Sequence, residues 1–197
     1  TDYGNISFKK VRAQKKSLIS YNHIVSSLDD LTYNCNDPVI RYKSFSSKIG
    51  AVITVRMSST RLPGKALMKI NGMPSILVVL ERVRQINGLD HIIVATSDHQ
   101  DDDQLADLLL SENVEVYRGS LDSIPHRLLG TAEKYNLNHI VRVTGDSVCL
   151  DYDSMSDLIS SHLEISPDCS MLSNAIFGTN KEVITTDTLS FLASRIQ

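Results

Sequence analysis

Gly50-Ala-Val-Ile-Thr-Val55 runs directly into Arg56-Met-Ser-Ser-Thr-Arg-Leu-Pro-Gly-Lys65. The first six residues are a short, largely β-branched run, which predicts a strand buried on both faces. The next ten hold three cations, three hydroxyls and a glycine, which predicts a polar loop at that strand's carboxyl end. Working outward, the same alternation repeats. Pro74 precedes a helical stretch with Ile76, Val79, Leu80, Val83 and Ile86 on one face and Glu81, Arg82 and Arg84 off it. Gly88 closes that stretch, and His91–Thr96 reads as a second strand. Asp101, Asp102 and Asp103 sit where a helix start favours negative charge, ahead of Leu105, Leu108 and Leu109. Val114–Tyr117 reads as a third strand, 121–136 as a helix with Ala132 inward, and His139–Thr144 as a fourth strand. Residues 153–163 form a helix with Met155, Leu158 and Ile159 inward; Ser170–Ser173 is a fifth strand, and Asp187 caps a last helix through Ile196.

Strands alternating with helices predict βαβ units: an α/β three-layer sandwich around a mostly parallel sheet. Ligands of such sheets bind beyond the carboxyl ends of the strands. Here those ends follow Val55, Thr96, Tyr117 and Thr144.

The chain has 197 residues, 42% hydrophobic and 22% charged, ordinary for a globular protein. A net charge of -3 argues against nucleic acid as a partner, since phosphate neutralisation needs a basic excess. The charge is uneven. Residues 1–48 carry eight Lys or Arg against four Asp, which leaves 12 basic and 19 acidic residues in 49–197. This divides the chain into a basic N-terminal extension or linker, 1–48, and an α/β domain, 49–197. Val11, Leu18, Val25 and Leu28 predict an amphipathic helix around 8–31, with a turn at Asn34–Pro38. Cys35, Cys149 and Cys169 are far apart, without a disulfide or zinc spacing. The longest apolar stretch noted, Ile76–Leu80, is too short for a membrane span, and no secretory h-region opens the chain. A cytoplasmic protein is expected, and the start at Thr1 fits a piece of something longer.

Several segments can carry chemistry. Arg56–Lys65 is either a solvated polar loop or a phosphate cradle, in which Arg and Lys make charge-assisted bonds to phosphate oxygens. It is not a Walker A loop, which needs Gly at 59 and Ser or Thr at 66 where the chain has Ser59 and Ala66. In Arg142-Val-Thr-Gly-Asp146, Asp146 is either a turn cap or a Mg²⁺ ligand, since Mg²⁺ typically takes one or two carboxylates plus substrate phosphates. Asp151 and Asp153 read first as helix-start residues. Ala95-Thr-Ser-Asp98 either bonds a base or ribose edge or caps the next helix. In Tyr117-Arg-Gly-Ser-Leu-Asp122, Arg118 lies at a strand end, and Asp122 pairs either with Arg127 or with an N-cap amide. His99, His126 and His139 show no metal spacing.

Taken together and in this order, these segments resemble the cytidylyltransferases that activate acidic sugars. The likeness is greatest to the spore-coat polysaccharide branch, related to the acylneuraminate and 3-deoxy-manno-octulosonate enzymes. It rests on Arg56-x-x-Ser59-x-Arg61-Leu62-Pro63-x-Lys65, Val94–Asp98, Tyr117–Ser120 with Asp122 and Arg127, and Val141–Asp146, and covers about 48–197. The resemblance implies a nucleotide-diphosphosugar-transferase-like fold and transfer of CMP from CTP, with Mg²⁺ and release of pyrophosphate. The acceptor would be a sugar acid or a phosphorylated or phosphonate compound, in surface polysaccharide or glycan synthesis. It implies catalytic roles for Arg56, Lys65 and Asp146, with Asp146 holding the metal. It implies nucleotide contacts from Val55, Arg56, Ser59, Arg61, Lys65, Ala95, Thr96, Ser97, Asp98, Arg118, Arg142 and Thr144, and acceptor contacts from Asn174 and Glu182. A homodimer or fusion to another domain would fit. The chain departs from the family pattern at Val55, at Ser58, at Ser147-Val-Cys149, and in stopping before the family's second metal-binding Asp. These departures motivate an alternative, a catalytically impaired nucleotide-binding or scaffold domain of a larger protein.

Overall fold

The computed structural model describes residues 47–59, 61–172 and 181–195, together with the backbone of 11–12 and 17–19. Its centre is a sheet with strands β1 (Ile49–Thr54), β2 (His91–Ser97), β3 (Glu115–Gly119), β4 (His139–Thr144), β5 (Cys169–Leu172) and β6 (Glu182–Thr185). Their spatial order is β5-β6-β4-β1-β2-β3. β4, β1, β2 and β3 run parallel, β6 is antiparallel to both β4 and β5, so five of the six strands point the same way. The helices are α1 (Ser75–Val83), α2 (Asp103–Ser111), α3 (Ile124–Tyr135), α4 (Tyr152–Ile165) and α5 (Thr186–Ala193).

Period-two alternation divides the core between the two faces. Ile49, Ala51, Ile53 and Val55 of β1 and the residue after it pack with Ile76, Val79 and Leu80 of α1, Leu105 and Leu109 of α2, and Met155 and Leu158 of α4. Val52, Ile93 and Ala95 face the other way, onto Leu128 and Ala132 of α3 and Leu189 of α5. The sheet is therefore covered on both sides, as the unbroken apolar strands require. Ile53 is fully buried at the middle of this stack. Truncating it to Ala should cost about 2–5 kcal/mol through lost transfer energy and the cavity left behind.

α1 and α2 lie on one face, where the chain steps from β1 to β2 to β3. α3 lies on the other, carrying the chain back past β2 and β1 to β4. The winding reverses between β1 and β4, so the crevice beyond those two strand ends is the topological switch point. Register makes it level: Thr54 aligns with Ala95 of β2 and with Thr144 of β4.

Some boundaries differ from the sequence expectation. Val11–Arg12 and Ser17–Ile19 are paired strands, with Leu18 opposite Leu172 at the β5 edge, so the expected helix around 8–31 does not hold there. The rest of that helix and the expected turn at 34–38 lie outside the described residues. α5 is capped by Thr185, whose side chain accepts from the Thr188 amide, while Asp187 falls one residue inside the first turn. The polar loop before α1 contains a small hairpin, Lys69–Ile70 with Met73–Pro74, turned by Asn71 and Gly72 at positive φ. Asn-Gly is the usual residue pair for such a turn. Helix α1 ends at Val83, and Gly88 serves the following turn at φ 84°.

Candidate active site

The switch-point crevice is a cleft of about 360 Å³, lined by Thr54, Val55, Arg56, Ser59, Arg61, Lys65, Leu121, Asp122, Ile124, Arg127, Thr144, Gly145 and Asp146. The Arg56–Lys65 loop is thus a wall of the cleft. Its shape has identifiable causes. The amides of Ser59 and Gly64 both donate to the Met57 carbonyl, at 2.8 and 3.0 Å, which folds the loop back on its start. Gly64 takes φ 69°, a left-handed conformation that glycine adopts without a Cβ penalty, and Lys65 opens the 3₁₀ turn that follows. Ser75, at the start of α1, donates its hydroxyl to the Lys65 carbonyl at 2.7 Å and fixes that turn.

Asp102 anchors the loop from below. It is 1% exposed. Its Oδ1 accepts from the Met57 amide at 2.6 Å, and its Oδ2 accepts from the Thr96 hydroxyl at 2.8 Å and the Ser97 amide at 2.9 Å, with the Ser97 hydroxyl as a further donor. Burial acts most strongly on this carboxyl and pushes its pKa up. The bonds from Met57, Ser97 and Thr96 together outweigh burial, so the group sits below its ordinary value and stays charged. One carboxylate therefore ties the phosphate-loop candidate to the end of β2.

The other wall comes from β4. The Gly145 amide donates to the Thr54 carbonyl at 2.9 Å, and a Cβ on Gly145 would lie 2.6 Å from the Val55 Cβ. Only glycine lets the two strand ends approach this closely. The next residue, Asp146, meets Lys65 Nζ at 2.5 Å across the crevice; the two side chains are 52% and 29% exposed. The Lys65 bond is the largest influence on Asp146 and holds its carboxyl below the usual range; partial burial opposes it and a Thr144 bond adds to it. A half-exposed ion pair of this kind is worth little to stability. Its position, at the joint of loop and strand end, is what matters.

The sequence-predicted site residues do not all meet in the cleft. Val55, Arg56, Ser59, Arg61, Lys65, Thr144 and Asp146 all line the cleft. Thr96 and Ser97 are buried and spend their hydroxyls on Asp102, while Arg118 donates to the Ser97 and His99 carbonyls and pairs with Asp103 at 2.6 Å, bracing β3 against the turn after β2. Ala95 is buried in the sheet, Asp98 is exposed, and neither lines the cleft. Arg142 forms an ion pair with Glu182, its register partner on β6. Buried Lys181 lies beside them, its pKa lowered mainly by desolvation and raised in part by Asp146. Asn174 lies outside the described residues. Asp151 caps α4 through the Ser154 amide, as a helix-start residue should.

Asp122 and Arg127 both line the cleft, but no ion pair joins them, and the cap of α3 is Ser123. Arg127 was the least legible member of the site, since nothing in its neighbourhood of sequence separates a structural arginine from a ligand-facing one.

A family model described as cytidylyltransferase matches residues 51–195. The chain belongs to the cytidylyltransferase family. It is 32% identical over 150 residues to the spore coat polysaccharide biosynthesis protein SpsF of Bacillus subtilis, covering 74% of this chain and 62% of that protein. It is 35% identical over 125 residues to the 3-deoxy-manno-octulosonate cytidylyltransferase of Acinetobacter baumannii, covering 61% of this chain and 47% of that enzyme. The chain thus spans roughly half to two thirds of the length of these relatives. Among solved structures, a cytidylyltransferase from Leptospira borgpetersenii superposes with TM-score 0.70 at 29% identity, over 77% of this chain and 66% of that one. The CMP:2-keto-3-deoxy-manno-octonic acid synthetase complexed with CTP superposes with TM-score 0.63 at 19% identity, over 77% and 79%, and so supports the cytidylyltransferase fold alone. Among the described residues, no helix is long and apolar enough to cross a membrane.

Proposed function

We propose that this cytidylyltransferase-family chain transfers CMP from CTP to a small acidic acceptor, a sugar acid or a phosphorylated or phosphonate compound, and releases pyrophosphate. The observation that carries this reading is the Lys65–Asp146 contact across the switch-point cleft. In this reading it joins the cation that would bind phosphate to the carboxylate that would hold the metal.

In this reading Arg56, Arg61 and Lys65 hold the triphosphate, with Ser59 and the loop amides adding donors. Asp146 fits Mg²⁺ as a single accessible carboxylate, the other ligands being substrate phosphates and water. Among the described residues, no group of three or more His, Cys, Asp or Glu could hold an ion without them. When bound, Mg²⁺ supplies charge neutralisation at the reacting phosphate. Lys65 leaves Asp146 for the phosphates as nucleotide enters. An acceptor oxygen attacks the α-phosphorus in line, the bond to the bridging oxygen breaks, and pyrophosphate departs against the Arg56–Lys65 wall. The protein contributes positioning and electrostatics. The acceptor enters from the β4–β6 side, where Arg142, Lys181 and Glu182 gather. The likeness to SpsF supports a role in surface polysaccharide synthesis, and the need for CTP supports a cytoplasmic setting.

The test is pyrophosphate release from CTP, with and without Mg²⁺, across a panel of sugar acids and phosphorylated acceptors. Lys65→Ala and Asp146→Asn should each lower turnover by at least about 100-fold, the scale on which removal of one preorganised charge acts in catalysis, and both should melt within a few degrees of wild type. Turnover at the wild-type rate in both variants would remove the assignment. CTP binding without turnover for any acceptor would favour a nucleotide-binding domain that has lost catalysis.

A further inference from the structure

Asp146 is met from two sides. Lys65 Nζ reaches its Oδ2 across the crevice at 2.5 Å, and from its own strand the Thr144 hydroxyl also bonds the carboxylate. Thr144 ends β4, and its Oγ1 lies 2.8 Å from the hydroxyl oxygen of Ser147, which is 4% exposed. The backbone closes the turn between them. The Ser147 amide donates to the Thr144 carbonyl at 3.0 Å, and the Val148 amide to the Asp146 carbonyl at 2.9 Å. Ser147, Thr144 and Asp146 thus form a short chain of side-chain bonds, from a buried hydroxyl out to a half-exposed carboxylate.

Counting hydrogens fixes the direction of this chain. An ionised carboxylate only accepts, and a hydroxyl has one hydrogen to give and two lone pairs. Thr144 therefore spends its one hydrogen on Asp146. Its contact with Ser147 is then a bond that Ser147 donates. Thr144 lines the cleft, but with its hydrogen committed it has only a lone pair left for a ligand there. The oxygens of a nucleotide's phosphates are acceptors as well, so they gain nothing from it.

The Thr144 bond matters most once Lys65 has left for the phosphates. Among the described residues, Asp146 belongs to no group of three or more His, Cys, Asp or Glu that could share an ion. The aim of this one carboxylate then sets where a cation sits, and Mg²⁺ demands near-ideal octahedral geometry. A carboxylate free to swing would meet that demand poorly. We propose that Thr144 is a positioning residue for this reaction: its hydroxyl, held in turn by Ser147, aims the Asp146 carboxylate and does not itself bond the nucleotide. The assignment rests on the CTP and Mg²⁺ reading above and deepens it.

The experiment is calorimetric titration of the full chain with CTP, in EDTA and in saturating Mg²⁺. It compares wild type with Thr144→Val (a methyl replaces the hydroxyl) and Thr144→Ser (the hydroxyl is kept). Wild type should bind CTP more tightly with Mg²⁺. Thr144→Val should lower the affinity in Mg²⁺ by roughly 10- to 100-fold, the usual loss when a metal ligand's own hydrogen-bond partner is removed. Its affinity in EDTA should stay at the wild-type value, and Thr144→Ser should restore the affinity in Mg²⁺. An equal loss in both buffers would show that Thr144 touches the nucleotide itself and would overturn the assignment while leaving the proposed function intact. No loss in either buffer, or a Thr144→Ser variant as weak as Thr144→Val, would overturn it too. If Thr144→Val does not fold, Thr144→Ala carries the same comparison. Failure of wild type to bind CTP, or to bind it more tightly with Mg²⁺, would overturn the proposed function and this assignment with it.

Discussion

Replacing Asp102 by Asn should loosen the Arg56–Lys65 wall of the cleft without touching a cleft-lining residue. The carboxylate has two tasks, one per oxygen: Oδ1 holds the Met57 amide, and Oδ2 serves Thr96 and Ser97. An Asn amide has only one oxygen. Its better orientation keeps that oxygen toward Thr96 and Ser97 and turns its NH₂ group toward the Met57 N–H, donor against donor. The loop loses its anchor while β2 keeps its own. One lost bond to a charged acceptor and one orphaned amide amount to about 2–4 kcal/mol. A domain of this size shifts its Tm by about 2–4 °C per kcal/mol, so a drop of roughly 5–15 °C is expected. Urea unfolding measures the first quantity and scanning calorimetry the second. The affinity for magnesium pyrophosphate should fall as well, because the folded-back loop starts at Met57. An Asn variant within about 0.5 kcal/mol of wild type, the ordinary scatter of a neutral surface change, would refute the claim that this carboxylate positions the loop.

Acid should weaken the fold through His162, which is buried against His139 Nδ1 at 3.0 Å and the Ser170 hydroxyl at 2.8 Å. Burial, helped by His139, pushes its pKa down from 6.5 to about 4. The unfolded chain therefore takes up the proton first. Stability is intact above pH 6.5 and falls between 6.5 and 4, at about 1.4 kcal/mol per pH unit and by roughly 3 kcal/mol in all; a flat urea-midpoint profile from pH 7 to 5 would contradict this. Gly145→Ala should cost about 1–3 kcal/mol by overpacking and weaken CTP binding, because its Cβ meets Val55 Cβ and Cγ2 at 2.6 and 2.7 Å. Adding Val55→Ala should restore part of both losses, and strictly additive effects in the double variant would show that the two strand ends do not meet as described.

The strands were the most legible part of the sequence. Residues 50–55, 91–96 and 139–144 are β-branched runs bounded by polar or glycine residues, and each became a parallel strand within a residue or two. A cleft at the carboxyl ends of β1 and β4 followed from topology, and Arg56, Lys65 and Asp146 line it. Sequence order carried no sign that β6 would insert between β4 and β5, because antiparallel insertion is decided by tertiary contact. The near-helical spacing of Val11 and Leu18 misled for a related reason: two apolar residues seven apart fit a strand pair equally well once β5 offers an edge. Asp102 was read with its neighbours as a helix-start charge. Its bonds to Met57, Thr96 and Ser97 come from three-dimensional proximity over as many as 45 residues, which no local pattern reports. Arg118 and Arg142 show the same limit: one lies near the end of β3 and the other within β4, and each is paired with an acid of a neighbouring element.

The most direct test of the central claim is a thermal-shift series on the whole chain with CTP, UTP, GTP and ATP, each with and without Mg²⁺. A ligand that binds only the folded state raises the melting temperature by mass action. The account predicts a rise with CTP that Mg²⁺ enhances, that other nucleotides do not match, and that Lys65→Ala and Asp146→Asn reduce. No rise with any nucleotide, or an equal rise with all four that ignores Mg²⁺ and both substitutions, would contradict it.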